Sequence, residues 1–166
     1  MSLDNIQLPS FIIEGLFKKT LVELKTKQQI KATNPIPAFN MLGQNKKGVI
    51  ILVQNDAAAF LPENELNFLI GILSACQLTL EDAGIINMAK NTAFNYYFFE
   101  KEIVAEKIIL FGVAPATIEL PLSFPLYQVQ AYNNLTYLTA PALIVLMQDK
   151  AEKLKLWNCL KVIFGM

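Results

Sequence analysis

The chain has 166 residues, 54% of them hydrophobic and 17% charged, with fourteen acids balancing fourteen bases. Zero net charge leaves no global field to draw it to nucleic acid, and no apolar run approaches the ~20 residues that span a bilayer. Every base is a lysine, with no histidine and no arginine, so the common acid–base group near neutral pH and the bidentate grip on phosphate or guanine are both missing. The length fits one domain over residues 1–166. Met1 to Leu8 holds an acid and polar residues where a secretory signal needs a basic then apolar start, and the expected location is the cytoplasm. Cys76 and Cys159 lie apart in apolar patterns, which reads as two buried free thiols in a reducing compartment rather than a disulfide.

In chain order, Leu8-Pro9-Ser10 opens a helix carrying Phe11, Ile12, Gly15 and Leu16. Leu21 to Leu24 fits a strand or a helix end equally. Thr26 to Asn45, broken by Pro35, Pro37 and Gly43, reads as loop with a short strand near Phe39–Leu42. Val49-Ile50-Ile51-Leu52-Val53 is continuous apolar sequence rich in β-branching, the pattern of a strand covered on both faces.

Pro62 suits the first turn of a helix, and Leu66, Leu69, Leu73 and Cys76 repeat at steps of three and four along one face. Thr79 is placed to cap a turn bearing Glu81 and Asp82 that Gly84 ends, before a brief strand over Ile85–Met88. Thr92 to Ala105 predicts an amphipathic helix with aromatic bulk. Lys107 to Gly112 predicts a second buried strand. Leu126 to Tyr132 alternates, Asn133-Asn134 turns, and Thr136 to Leu138 returns. An apolar helical turn follows from Pro141 through Met147. Asp149-Lys150-Ala151-Glu152 resembles a capping box ahead of a last helix with Leu156, Leu160 and Ile163 on one face. This alternation predicts an α/β fold, a three-layer α/β/α sandwich around a mostly parallel sheet.

Site chemistry is sparse. No Gly-rich phosphate loop occurs, and the residues offer no metal-ligand set and no cofactor motif, so no metal or cofactor is expected. Asn55 and Asp56 follow directly on the Val49–Val53 strand, where open α/β sheets place ligands. Asp56 there is either a base that positions a water or, with Asn55, a loop residue that satisfies backbone amides. Tyr96, Tyr97, Phe98 and Phe99 form the densest aromatic run, with only Lys90 and Lys101 as nearby cations. Helical spacing sends two rings to the core and two to a flank, which suits a protein interface better than stacking on single-stranded nucleic acid. Trp157, the single tryptophan, is either a core anchor or an interface hot spot.

Two stretches resemble a known family. Val49 to Asp56 followed by Leu61-Pro62, a helix and Leu78-Thr79-Leu80-Glu81-Asp82 resembles the first core strand and loop of the psi subunit of bacterial DNA polymerase III. Ala140-Pro141-Ala142-Leu143 leading through Asp149, Lys150 and Ala151 to Leu156-Trp157 is similar to the end of psi. The resemblance implies the fold of the uracil-DNA glycosylases without their chemistry. Asp56 would stand at the water-activating position, as a vestigial site with Asn55, while Leu138-Thr139-Ala140-Pro141-Ala142 carries no histidine where glycosylases have a His-Pro-Ser loop.

It further implies a non-enzymatic accessory subunit of the replicative polymerase, joining the clamp loader to a chi-like subunit, with no strong direct nucleic-acid binding and no membrane. Residues 1–9 would be the loader-binding peptide, anchored by Leu3, Ile6 and Leu8. The family's peptide contains a tryptophan that is absent here, and Thr26 to Gly48 is an insertion by comparison. Tyr96, Phe99 and Trp157 complete the expected partner-binding set. Two alternatives remain: a divergent glycosylase-fold hydrolase acting on DNA through Asp56, and a homodimeric interaction module burying the Tyr96–Phe99 flank.

Overall fold

The computed structural model of the protein describes residues 39–91 and 94–166. The expectations for Leu3, Ile6 and Leu8, for the helix from Ser10, for Leu21–Leu24 and for most of the Thr26–Asn45 loop lie outside the described residues. Contacts gather the described residues into one compact unit.

Its centre is a six-stranded mixed sheet ordered β1-β3-β2-β4-β6-β5. Here β1 is Leu42–Gly43, β2 Val49–Val53, β3 Ala83–Asn87, β4 Lys107–Phe111, β5 Val129–Tyr132 and β6 Leu135–Ala140. β3, β2, β4 and β6 run parallel, while β1 and β5 pair antiparallel on the two edges. Four helices occur among the described residues: α1 Glu63–Ala75, α2 Tyr96–Lys101, α3 Leu143–Gln148 and α4 Lys150–Phe164. None of them is long and apolar enough to cross a membrane.

Alternation along the buried strands builds two cores. Val49, Ile51 and Val53 of β2 with Ile109 and Phe111 of β4 meet Leu69 of α1, Leu143 of α3 and Leu156 of α4. Ile50 and Leu52 with Ile108 and Leu110 face the other way, onto Phe94, Phe99 and Ile118. Both faces of the sheet are thus covered, which is why β2 and β4 read as unbroken apolar runs. Each fully buried Leu or Ile removes apolar surface worth about 1.5–3 kcal/mol from water.

Several elements differ in detail from the pattern. At the turn before β3 the capping roles are reversed: the Asp82 carboxylate accepts from the Thr79 amide at 2.8 Å and its hydroxyl at 3.0 Å. The Thr79 amide, followed by its hydroxyl and Lys47, holds the Asp82 carboxyl below its ordinary pKa despite partial desolvation. Gly84 does not end that turn; it lies inside β3, where a Cβ would sit 2.4 Å from Met41 Sδ.

The aromatic helix is only six residues long. Asn95 is extended and its side chain accepts the Phe98 amide, fixing the start. Beyond Lys101 the backbone leaves the helical region at Val104, whose φ of 30° is rare for a β-branched residue. β5 begins only at Val129, because Tyr127 sits in the left-handed region at φ 64°. Asn133 and Asn134, with φ of 47° and 60°, make the two-residue hairpin turn joining β5 to β6.

The capping box before α4 is half formed. Asp149 Oδ1 accepts from the amides of Ala151 and Glu152. Glu152 does not reciprocate, because the Asp149 amide already donates to Val145 of α3 at 3.2 Å. Its carboxylate turns instead to the Tyr127 hydroxyl and to Lys155.

Candidate functional site

The four parallel strands reverse their order between β2 and β4, so the crevice beyond the carboxyl ends of these two is where an open α/β sheet binds ligands. Asn55 and Asp56 occupy the β2 side of it. Asn55 Oδ1 accepts the amides of Ala57 at 3.0 Å and Ala58 at 2.8 Å, so its side chain is committed to shaping the loop. Asp56 is exposed; its carbonyl receives Lys90 Nζ at 2.8 Å, and its carboxylate has no hydrogen-bond partner among the described residues.

The loop is locked from below by Asn87, the wholly buried last residue of β3. Asn87 Oδ1 accepts from the amides of Asn55 and Ala89, and its Nδ2 faces the carbonyls of Asn55, Ala58 and Ala59 at 2.7, 3.0 and 3.2 Å. Sequence reasoning placed Asn87 in a strand and gave it no role. The available signal was a lone amide closing the apolar run Ile85-Ile86.

On the β4 side the chain leaves the sheet at Gly112 (φ +67°), where a Cβ would lie 2.9 Å from that of Ala142. Only glycine allows this close approach in that conformation. Ala142 therefore packs closely over the Gly112 backbone.

Of the aromatic run, Phe99 is wholly buried, which corrects its expected place on a partner-binding surface: it anchors the core under α2. Phe98 packs among Phe39, Phe94 and Phe99, stacked on Phe94 at 4.3 Å. Tyr96 is half-buried against Tyr132, whose proximity is the first cause of its raised pKa. Only Tyr97 is freely exposed, at 56%.

Trp157 is half-buried on α4 and lines an apolar groove between α1 and α4. Phe68, Gly71 and Ile72 form one wall and Leu156, Trp157 and Leu160 the other, around a volume of about 450 Å³. A second trough of about 600 Å³ beside it shares Lys153 and Trp157 and extends to Lys150 and Leu154.

At the edge of α4, burial and the Glu152 carboxylate raise the Tyr127 pKa above its ordinary value. Lys155, 2.6 Å from Glu152, lowers that carboxyl's pKa, with the Tyr127 hydroxyl adding to the effect. Cys159 donates to the Tyr127 carbonyl at 3.1 Å, and Cys76 and Cys159 are both buried free thiols.

The polar pocket at the opposite end of the sheet, around Lys46, Lys47 and Lys107, is internally neutralised by Glu81, Asp82 and Glu106. Among the described residues no cluster of three or more His, Cys, Asp or Glu side chains is arranged to hold a metal.

No protein-family model matches the chain, and no curated protein is significantly similar to it.

Proposed function

We propose that the chain is a psi-like, non-catalytic accessory subunit of the DNA polymerase III holoenzyme on a uracil-DNA glycosylase-like α/β/α fold. It acts as a tether, holding the clamp loader through residues 1–9 and a second, chi-like protein through an apolar face of the domain. Linking two binding sites in this way raises the local concentration of each partner near the other, to ~mM for a short flexible link.

The observation that carries the reading is the contrast between the two ends of the chemistry. At the sheet's switch point the amides of Asn55 and Asn87 are committed to loop architecture. An apolar groove of about 450 Å³, by contrast, contains the single tryptophan. Such a surface suits a protein partner better than a reacting polar substrate.

The test is capture of clamp-loader subunits from soluble cell protein by the full chain, read by mass spectrometry. Recovery of loader subunits, lost on deleting Leu3–Leu8 with thermal stability nearly unchanged, supports the tether. Recovery of no replication protein refutes it.

The hydrolase reading keeps one observation in its favour, the exposed and uncommitted Asp56 carboxylate beside the crevice. Excision of uracil from DNA by the chain, abolished by Asp56→Asn, would establish that reading and sink the tether.

A further inference from the structure

The groove between α1 and α4 has a shape, a lining and a rim that together specify an occupant. The lining runs from Asn67 to Ala75 on α1 and, with the adjoining trough, from Lys150 to Leu160 on α4, so the walls run for roughly 12–15 Å at 1.5 Å per residue, the footprint of a helix of two to three turns. Gly71 stands in the middle of α1, and a Cβ added there would meet nothing within 4 Å. Glycine inside a helix costs roughly 1 kcal/mol relative to alanine, and among the described residues no close contact uses the space it leaves. Ala75 follows one turn later on the same wall. Small residues in that register let a third helix approach to the usual packing distance of about 8–10 Å.

The lining is almost all carbon, with Asn67 and Lys153 its polar members, and none of the groove residues is acidic. Lysines stand along the rim on α4. Lys153 lies over the Phe68 ring at 5.4 Å and Lys161 over the Trp157 ring at 5.8 Å, while Lys150 borders the adjoining trough. Among the described residues none of these three has a carboxylate within ion-pair distance, unlike Lys155, which is paired with Glu152.

We infer that the groove binds an amphipathic helix of another protein, with apolar side chains entering between α1 and α4 and Asp or Glu flanking them to meet Lys150, Lys153 and Lys161. Helix-in-groove recognition reads apolar anchors at i, i+3 or i+4 and i+7, and charge complementarity at the rim fixes orientation and excludes wrong partners. A second copy of this chain is disfavoured by symmetry. A two-fold contact through this face brings the same lysines toward each other across the axis. The inference rests on the protein-binding reading above. Its test does not involve the clamp loader, so either can fail alone.

The test pans a display library of short helical peptides, randomised at every position, on the full-length chain, then titrates the selected peptides against Trp157 fluorescence. The expected winners carry an apolar stripe flanked by Asp and Glu, shift the Trp157 emission, and bind at least about tenfold more weakly to Gly71→Gln. That substitution extends into open space with a better helix former, so it fills the groove without a folding penalty. The triple variant Lys150→Glu, Lys153→Glu, Lys161→Glu is expected to turn the selection toward basic peptides.

Selection of no helical peptide, selection of neutral or basic ones by the unaltered chain, or binding indifferent to Gly71→Gln overturns the proposal. So does a chain that sediments as a dimer and becomes monomeric with Gly71→Gln, since the groove's occupant is then a second copy.

Discussion

Replacing Asn87 with alanine tests how the loop at the carboxyl end of β2 is held. The side chain is wholly buried and makes five hydrogen-bonding contacts to four residues, Asn55, Ala58, Ala59 and Ala89. At a net ~1 kcal/mol per bond, the upper bound for losing all of them is about 5 kcal/mol. Ala58 and Ala59 lie near the surface, where water replaces part of the loss, so the expected destabilisation is about 3 kcal/mol.

That is a large fraction of the ~5–15 kcal/mol typical of a domain. With an m-value of ~2 kcal/mol/M it lowers the urea midpoint by about 1.5 M. Urea unfolding followed by Trp157 fluorescence gives the midpoint, and hydrogen exchange at the Ala57 and Ala58 amides reports the loop. Asn87→Asp is the isosteric control. It keeps the volume and the oxygen that accepts from the Asn55 and Ala89 amides but replaces the donor with an acceptor facing the carbonyls of Asn55, Ala58 and Ala59, so it is expected to be at least as damaging. If both variants unfold within about 0.5 kcal/mol of the unaltered chain, the loop is held by packing and the reasoning fails.

Tyr137 is wholly buried with a hydroxyl that has no hydrogen-bond partner among the described residues, so Tyr137→Phe should be neutral or stabilising by up to ~1 kcal/mol in thermal melts. Burial pushes the Tyr137 pKa up to about 12 and that of Cys76 up to about 11. Because the folded values lie above the unfolded ones, the neutral forms contribute stability that is intact below about pH 8.5 and lost as the pH rises toward 12. Midpoints measured from pH 8 upward should fall, and fall less in Tyr137→Phe. Neither thiol should react with a disulfide reagent at pH 8 until denaturant is added, since burial raises both pKa values. Asp149→Ala removes the α4 cap and should cost ~1 kcal/mol in urea unfolding.

Local rules made part of the architecture legible. The runs at β2 and β4, the α1 period and the Asn133-Asn134 turn all state their structure within a few residues, and all four occur in the fold. Asn87 was illegible because its partners lie about thirty residues upstream, and a lone Asn after an apolar run looks like any strand end. The aromatic stretch hid its own cap: Asn95 interrupts what its neighbours' spacing extends to Thr92. Phe99 followed the same spacing, which fixes which residues share a face but not which face turns inward. Glu152 satisfied a local capping pattern and was taken by Tyr127 from a distant loop. The groove depends on α1 and α4 lying side by side on one face of the sheet, which neither helix announces alone. Trp157 marked it by type, while Gly71 drew no notice in the sequence.

The central position of β2 has a consequence for synthesis. In the finished protein Val49–Val53 is covered on both faces and paired on both sides. Yet β2 is made before either neighbour, and its second neighbour, β4, ends only at Phe111. At ~5–20 residues per second, the ribosome leaves this strongly β-forming segment incomplete for several seconds. Lys46 and Lys47, immediately upstream, are charged gatekeepers of the kind that restrain such segments from pairing with other chains. The strand covered on every side at the end is, among the described strands, the one that waits longest for its neighbours at the start.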